Sequence, residues 1–231
     1  MKKISIIQSS FLKTFIPALL VALVCACASK VPYAGPVMSQ KSIRQTFDPI
    51  LQFMNYQPGM AFADVGAGEG AITVMMTTMM NGSAIYIQDI DQKILNQENM
   101  DKMIDYYSRQ SHQELRKKNQ YNIAYGDANH SNLPDHSLDL IYSNATIHVF
   151  SSPDSMIADL RTKLKPTGTI FIRDDFKNHN GKGERCGDSS CPGRLITVEE
   201  FLMIMKTNGF KLLKQTPDMS GSPLFGFALE E

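Results

Sequence analysis

Apolar positions along this chain fall into two alternating rhythms. Short runs at residues 61–65, 84–88, 121–125, 139–143 and 169–172 are dense in Ile, Val, Ala, Phe and Tyr, and they have the length of buried strands. Between them apolar residues recur three and four apart, the spacing of one helix face. Ile43, Phe47, Ile50, Leu51 and Met54 precede the first run, residues 71–80 follow it, and Met156, Ile157, Leu160 and Leu164 precede the fifth. Strands that alternate with helical segments predict an α/β fold with a parallel sheet covered on both faces. The tail breaks the rhythm. Thr197-x-x-Glu200 has the form of a capping box opening a helix through Phe201 and Met205, and residues 210–213 and 224–228 read as two strands joined by a turn.

Turn and cap residues sharpen this outline. Ser42 can cap the first helix, and Pro49 is expected to interrupt or restart it, because proline has no N–H and crowds the preceding turn. Pro58-Gly59 turns into the first strand, and Asn81-Gly82 suits the end of the helix after it. That helix is rich in methionine, which packs flexibly against a sheet. Residues 92–118 are polar with scattered apolar positions and predict one or two surface helices. Lys165-Pro-Thr-Gly168 reads as a break before the fifth strand.

The N-terminus carries a separate message. Lys2, Lys3 and Lys13 precede an apolar stretch at residues 15–26, too short to span a hydrocarbon core of about 30 Å and suited to a signal peptide. Val24-Cys-Ala-Cys27 resembles the lipobox of bacterial lipoproteins, in which a small residue precedes the lipidated cysteine. Cys27, after Ala26, fits better than Cys25. An ordinary secretory signal cut near Ala28 and an uncleaved anchor are the alternatives. The expected division is a signal peptide at 1–26, a lipid-anchored tether at 27–41 and a folded domain at 42–231, placed in the bacterial cell envelope on a membrane and facing the periplasm or exterior. Cys186 and Cys191 sit in a glycine-rich stretch and predict a local disulfide in an exported chain; a metal site there would have only His179 as a further ligand, so no metal is expected. The 23 basic and 23 acidic residues balance, which leaves no electrostatic footprint for nucleic acid. Oligomeric state is not legible.

Candidate chemistry is concentrated at Asp64-Val-Gly-Ala-Gly-Glu-Gly70, where a strand turns into a helix through closely spaced glycines. Such a loop lets backbone N–H groups approach a ligand, and Gly66-x-Gly68-x-x-Ala71 also satisfies the dinucleotide pattern. Asp89 ends the second strand about twenty residues later, where an acid can accept both hydroxyls of an adenosine ribose; Asp91 can instead cap the next helix.

Together with Gly126-Asp-Ala128, Leu133-Pro-Asp135, Leu138-Asp-Leu-Ile-Tyr142 and Leu164-Lys-Pro-x-Gly168, this ordered set resembles the class I S-adenosylmethionine-dependent methyltransferases from about Ser42 onward. A nucleotide dehydrogenase would share only the first half. The resemblance implies a Rossmann-like three-layer sandwich with a mostly parallel seven-stranded sheet and a C-terminal antiparallel hairpin. It implies S-adenosyl-L-methionine as cofactor, with Asp64, Gly66, Ala67 and Gly68 at its methionine portion and Asn144 near the amino group. Asp89 would hold the ribose, Ile90 would pack on the adenine, and Asp127 and Ala128 would read its edge. His148, with Asp174 or Asp175 behind it, is the candidate catalytic base; a purely structural histidine is the other reading. Asn144-Ala-Thr-Ile departs from the Asn/Asp-Pro-Pro-Tyr of enzymes that methylate nucleobase or amide nitrogen, which favours a small-molecule or lipid-like acceptor. Export conflicts with a cofactor made in the cytoplasm. An exported domain of the same fold binding an adenosine-like or hydrophobic ligand without catalysis is therefore an alternative, as is a domain that faces the cytoplasm.

Overall fold

In the computed structural model the chain divides into two units, 1–31 and 32–231. The described residues, 36–177, 195–216 and 222–230, all belong to the second. The signal-like segment, Cys27, Cys186 and Cys191 lie outside them.

The elements run in order α1 (Gln40–Phe53), β1 (Phe62–Val65), α2 (Ala71–Thr77), β2 (Ala84–Asp89), α3 (Gln97–Ser111), α4 (Leu115–Lys118), β3 (Gln120–Tyr125), β4 (Leu138–Asn144), a 3-10 turn (Ile147–Val149), α5 (Pro153–Lys163), β5 (Leu164–Arg173), α6 (Val198–Thr207), β6 (Phe210–Gln215) and β7 (Leu224–Leu229). They build one seven-stranded sheet of order β3-β2-β1-β4-β5-β7-β6. β7 runs antiparallel to both β5 and β6, so it is the single reversed strand between parallel neighbours. Helices cover both faces, giving the expected Rossmann-like three-layer arrangement.

Period-two alternation along the strands divides the core in two. Phe62, Ile85, Ile87, Leu140 and Tyr142 meet α1, α2 and α3 on one face. Ala63, Val65, Ile141, Ile170 and Ile172 meet α5 and α6 on the other. Phe201, Phe225 and Phe227 pack there with ring centroids 5.4–6.3 Å apart, which ties the reversed strand to α6.

Several local expectations change. α1 continues through Pro49, because Ile43, Phe47, Ile50 and Leu51 bury the face that holds it, and its cap is Ser39, whose hydroxyl accepts from the Ser42 N–H at 3.2 Å. α2 ends at Thr77, short of Met80. Asp91 does not cap α3; Asn96 does, and Asp91 instead accepts from the Lys93 N–H. β5 begins at Leu164, so Lys165-Pro-Thr-Gly168 is not a break. It lies where the register to β4 shifts between Leu138 and Leu140, and a bulge accommodates proline and glycine within a strand. The Thr197–Glu200 capping box forms as expected.

Candidate functional site

The sheet order reverses direction between β1 and β4, the switch point at which parallel α/β sheets open a crevice beyond their strand ends. A cavity of about 170 Å³ lies there. Its wall takes Gly66 and Gly68 from the loop after β1, Gln88, Asp89 and Ile90 from the end of β2, and Asp127 and Ala128 from the loop after β3. Ala145, Thr146, Val149, Phe150, Ser151 and Met156 close the side beyond β4.

The glycine loop is shaped by its neighbours. Gly66, with φ of 72°, packs so closely on Thr146 that an added Cβ would meet its Cγ2 at 2.1 Å. At Gly68, with φ of 57°, an added Cβ would meet nothing within 4 Å, so this position faces open space. Main-chain N–H groups of Gly66 and Ala67 both reach the Gln88 carbonyl at 2.9 Å. Asp89 Oδ2 accepts from the Gly68 N–H at 2.8 Å and its Oδ1 from the Asp91 N–H at 2.9 Å, which holds the carboxylate at the mouth of the loop.

Ile90 stands 59% exposed beside this carboxylate, an apolar surface left open in the wall. Asp127 Oδ1 accepts from the N–H groups of Asn129 and His130, each at 2.8 Å, and these backbone donors hold its carboxyl below the usual range. The set present, an acid with spare lone pairs, an apolar platform and a glycine cradle with open space above it, fits an adenosine-bearing ligand.

Asp64, Ala67, Asn144 and His148 are outside the wall. Asp64 lies beneath the glycine loop, 3% exposed, and accepts the Thr73 hydroxyl at 2.5 Å; burial raises its pKa to about 6, against the opposing effect of the Thr73 bond, with the nearby Asp89 charge adding to the rise. Ala67 packs against the core on the α2 side. Asn144 ends β4 and its Oδ1 accepts from the Tyr142 hydroxyl at 3.3 Å. Burial pushes the Tyr142 phenol up, and the Asp64 charge adds to it.

His148 lies on the 3-10 turn next to the wall residue Val149. Its Nδ1 is 2.5 Å from Asp174 Oδ1, with side chains 9% and 1% exposed. Asp174 also accepts the N–H groups of His148 at 3.3 Å and Asp175 at 2.7 Å, so the carboxylate is fixed. The bond to Asp174 raises the His148 pKa above its ordinary value, against the opposing effect of burial. Of the two acids considered behind His148, Asp174 is the one in contact; Asp175 accepts from the Ser222 hydroxyl.

The sequence placed residues 148–154, with Val149 and Phe150, in a substrate-pocket segment, and it assigned no role in the wall to Gln88, Thr146 or Met156. Only a steric clue existed for Thr146, the need of Gly66 for a close neighbour.

Residues 63–172 match a family described as Methyltransferase domain. No curated protein matches the sequence. Among solved structures, the chain is similar to a SAM-dependent methyltransferase from Aquifex aeolicus, at 19% identity over 83% of this chain and 97% of that one, with a TM-score of 0.57. It is likewise similar to the YcgJ protein from Bacillus subtilis, at 13% identity over 81% and 99% of the two chains and a TM-score of 0.60. A third, the [4+2]-cyclase SpnF, shares 22% identity over 87% of this chain and 71% of its own, with a TM-score of 0.57. The domain match and the fold support S-adenosylmethionine as the cofactor. The chain therefore shares the fold of these structures, and its residues 63–172 are similar to the methyltransferase domain.

Proposed function

We propose that the protein is an S-adenosylmethionine-dependent methyltransferase that moves a methyl group to a small-molecule or lipid-like acceptor. The observation that carries this reading is the convergence of Gly66, Gly68, Asp89, Ile90, Asp127 and Ala128 in one cavity wall at the switch point. When bound, S-adenosylmethionine supplies a methyl group on a cationic sulfur whose leaving group is a neutral thioether. With so reactive a donor, the chain has mainly to bind, align and exclude water.

Asp89 accepts the ribose hydroxyls with the lone pairs that its two backbone donors leave free. Ile90 covers one face of the adenine, and Asp127 with Ala128 reads its edge. The backbone at Gly66, Ala67 and Gly68, with Asp64 and Asn144, serves the methionine end. Val149, Phe150 and Met156 make the far wall apolar, which keeps water out and suits an uncharged or lipid-like acceptor. A proton on His148 Nδ1, held by Asp174, leaves Nε2 as the base that takes the proton of an acceptor arriving as O–H or N–H. The lipobox-like Val24-Cys-Ala-Cys27 supports attachment through a lipid on Cys27 to a bacterial envelope membrane, and a Cys186–Cys191 disulfide fits that oxidising side.

A second reading has one observation in its favour: SpnF, of the same fold, is named for cyclisation rather than methyl transfer. On that reading the cavity binds its adenosine-like or hydrophobic ligand without passing a methyl group on. Incubating the full chain with S-adenosylmethionine labelled at the methyl carbon, in the presence of small-molecule and lipid extracts of the producing cells, separates the two. Label in an extractable product, lost in Asp89→Ala, is the expected result; cofactor binding with no labelled product favours the second reading.

A further inference from the structure

Gln88 is the one wall residue whose side chain combines full burial with an unused donor. It follows Ile87 in β2, and alternation turns it to the sheet face opposite Ile85 and Ile87. It is 2% exposed. Its Oε1 accepts from the Gly66 N–H at 3.3 Å, and this donor fixes which end of the carboxamide is oxygen. The other end, Nε2, is buried with no acceptor among the described residues. An added Cβ at Gly126 would come within 2.4 Å of Nε2, so glycine at 126 is what leaves the amide its room between the glycine loop and the Asp127 loop.

A buried N–H pair without an acceptor destabilises a fold and calls for a partner that arrives later. The residues next to it narrow the choice of partner. On the reading above, Ile90, Asp127 and Ala128 surround the base of the adenosine, and a purine ring offers nitrogen acceptors there. The Asp89 carboxylate next in sequence is turned to the other face of the strand, toward Gly68.

We propose that Gln88 reads the cofactor base, its Nε2 donating a hydrogen bond to a ring nitrogen of the purine. The glycine loop and the base are then sensed by one side chain, with Oε1 on Gly66 and Nε2 on the ligand. This inference rests on the adenosine-binding reading of the cavity.

The test is calorimetric titration of S-adenosylhomocysteine and its 1-deaza, 3-deaza and 7-deaza analogues into the full chain, wild type beside Gln88→Leu and Gln88→Glu. Gln88→Leu removes the donor without adding a charge, and Gln88→Glu keeps an oxygen for the Gly66 N–H while exchanging the amide for a carboxyl. Both variants are expected to bind S-adenosylhomocysteine about tenfold more weakly, the effect of one lost hydrogen bond. For one deaza analogue that difference should vanish, as a double-mutant cycle requires of a direct contact. Undiminished affinity in Gln88→Leu overturns the proposal, as does an equal loss for all three analogues, which would leave Gln88 a support of the glycine loop or the host of a water. Wild type that binds none of the four ligands overturns the adenosine reading itself.

Discussion

Asp64 shows how a single residue couples the site to stability. Its pKa, raised from 3.8 to about 6 by burial, means that the folded state holds the proton more tightly than the unfolded chain. Its contribution is therefore fully present below pH 4 and is lost as pH rises through 6, where a charged carboxylate must stay buried. Asp64→Asn removes that charge with little change of shape. Chemical denaturation should find it more stable than wild type at pH 8, by on the order of 3 kcal/mol, and close to wild type at pH 4. Equal differences at both pH values would show that the carboxylate is already ionised without penalty. His148 titrates in the same sense, through a partner rather than through burial. Pairing with Asp174 stabilises its imidazolium below the ordinary midpoint of 6.5, and that contribution is lost as pH rises through the raised value. NMR of the His148 ring protons should place the wild-type midpoint above 6.5 and the Asp174→Asn midpoint lower than wild type; an unmoved midpoint would deny the coupling. Asp89, Ile90, Asp127 and the glycines were legible because their positions relative to strand ends are fixed by sequence spacing. Gln88 was not, since its meaning lies in an unpaired nitrogen that only packing reveals.

Among the elements, the turn after β4 is the most constrained part of the wall. Ala145 adopts φ of 55°, a left-handed conformation that a Cβ disfavours, and its N–H is committed to the Arg173 carbonyl at 2.8 Å. Strain of this kind at a cavity wall fixes where Thr146 and the 3-10 turn sit. Ala145→Gly should raise thermal stability by up to about 1 kcal/mol, and Ala145→Val should lower it by at least as much. Calorimetric melting of the pair checks this; a stabilising valine would contradict it. The strands and most helices were legible from apolar runs and periodicity. Pro49 and Lys165-Pro-Thr-Gly168 misled for two reasons, burial of a helix face in the first case and a shift of strand register in the second. Four buried apolar residues carry α1 through its proline, and a register shift absorbs the second segment into β5.

Across the described domain, topology places the chemistry. Reversal of strand order between β1 and β4 brings residues from 66 to 156 around one crevice, while the reversed β7 lies between β5 and the edge strand β6 on the far side of the sheet. Such long-range convergence is invisible to any short window of sequence and became legible only through the ordered series of motifs. The central claim is that this crevice is an adenosine-cofactor site held by Asp89, and one measurement reaches it without knowledge of the acceptor. S-adenosylhomocysteine is titrated by calorimetry into the purified full-length chain, wild type beside Asp89→Ala. Saturable binding by the wild type is predicted, weakened about thirtyfold in the variant, the equivalent of about 2 kcal/mol for lost bonds to two hydroxyls. No binding by the folded wild type, or equal affinity in Asp89→Ala, would contradict the account.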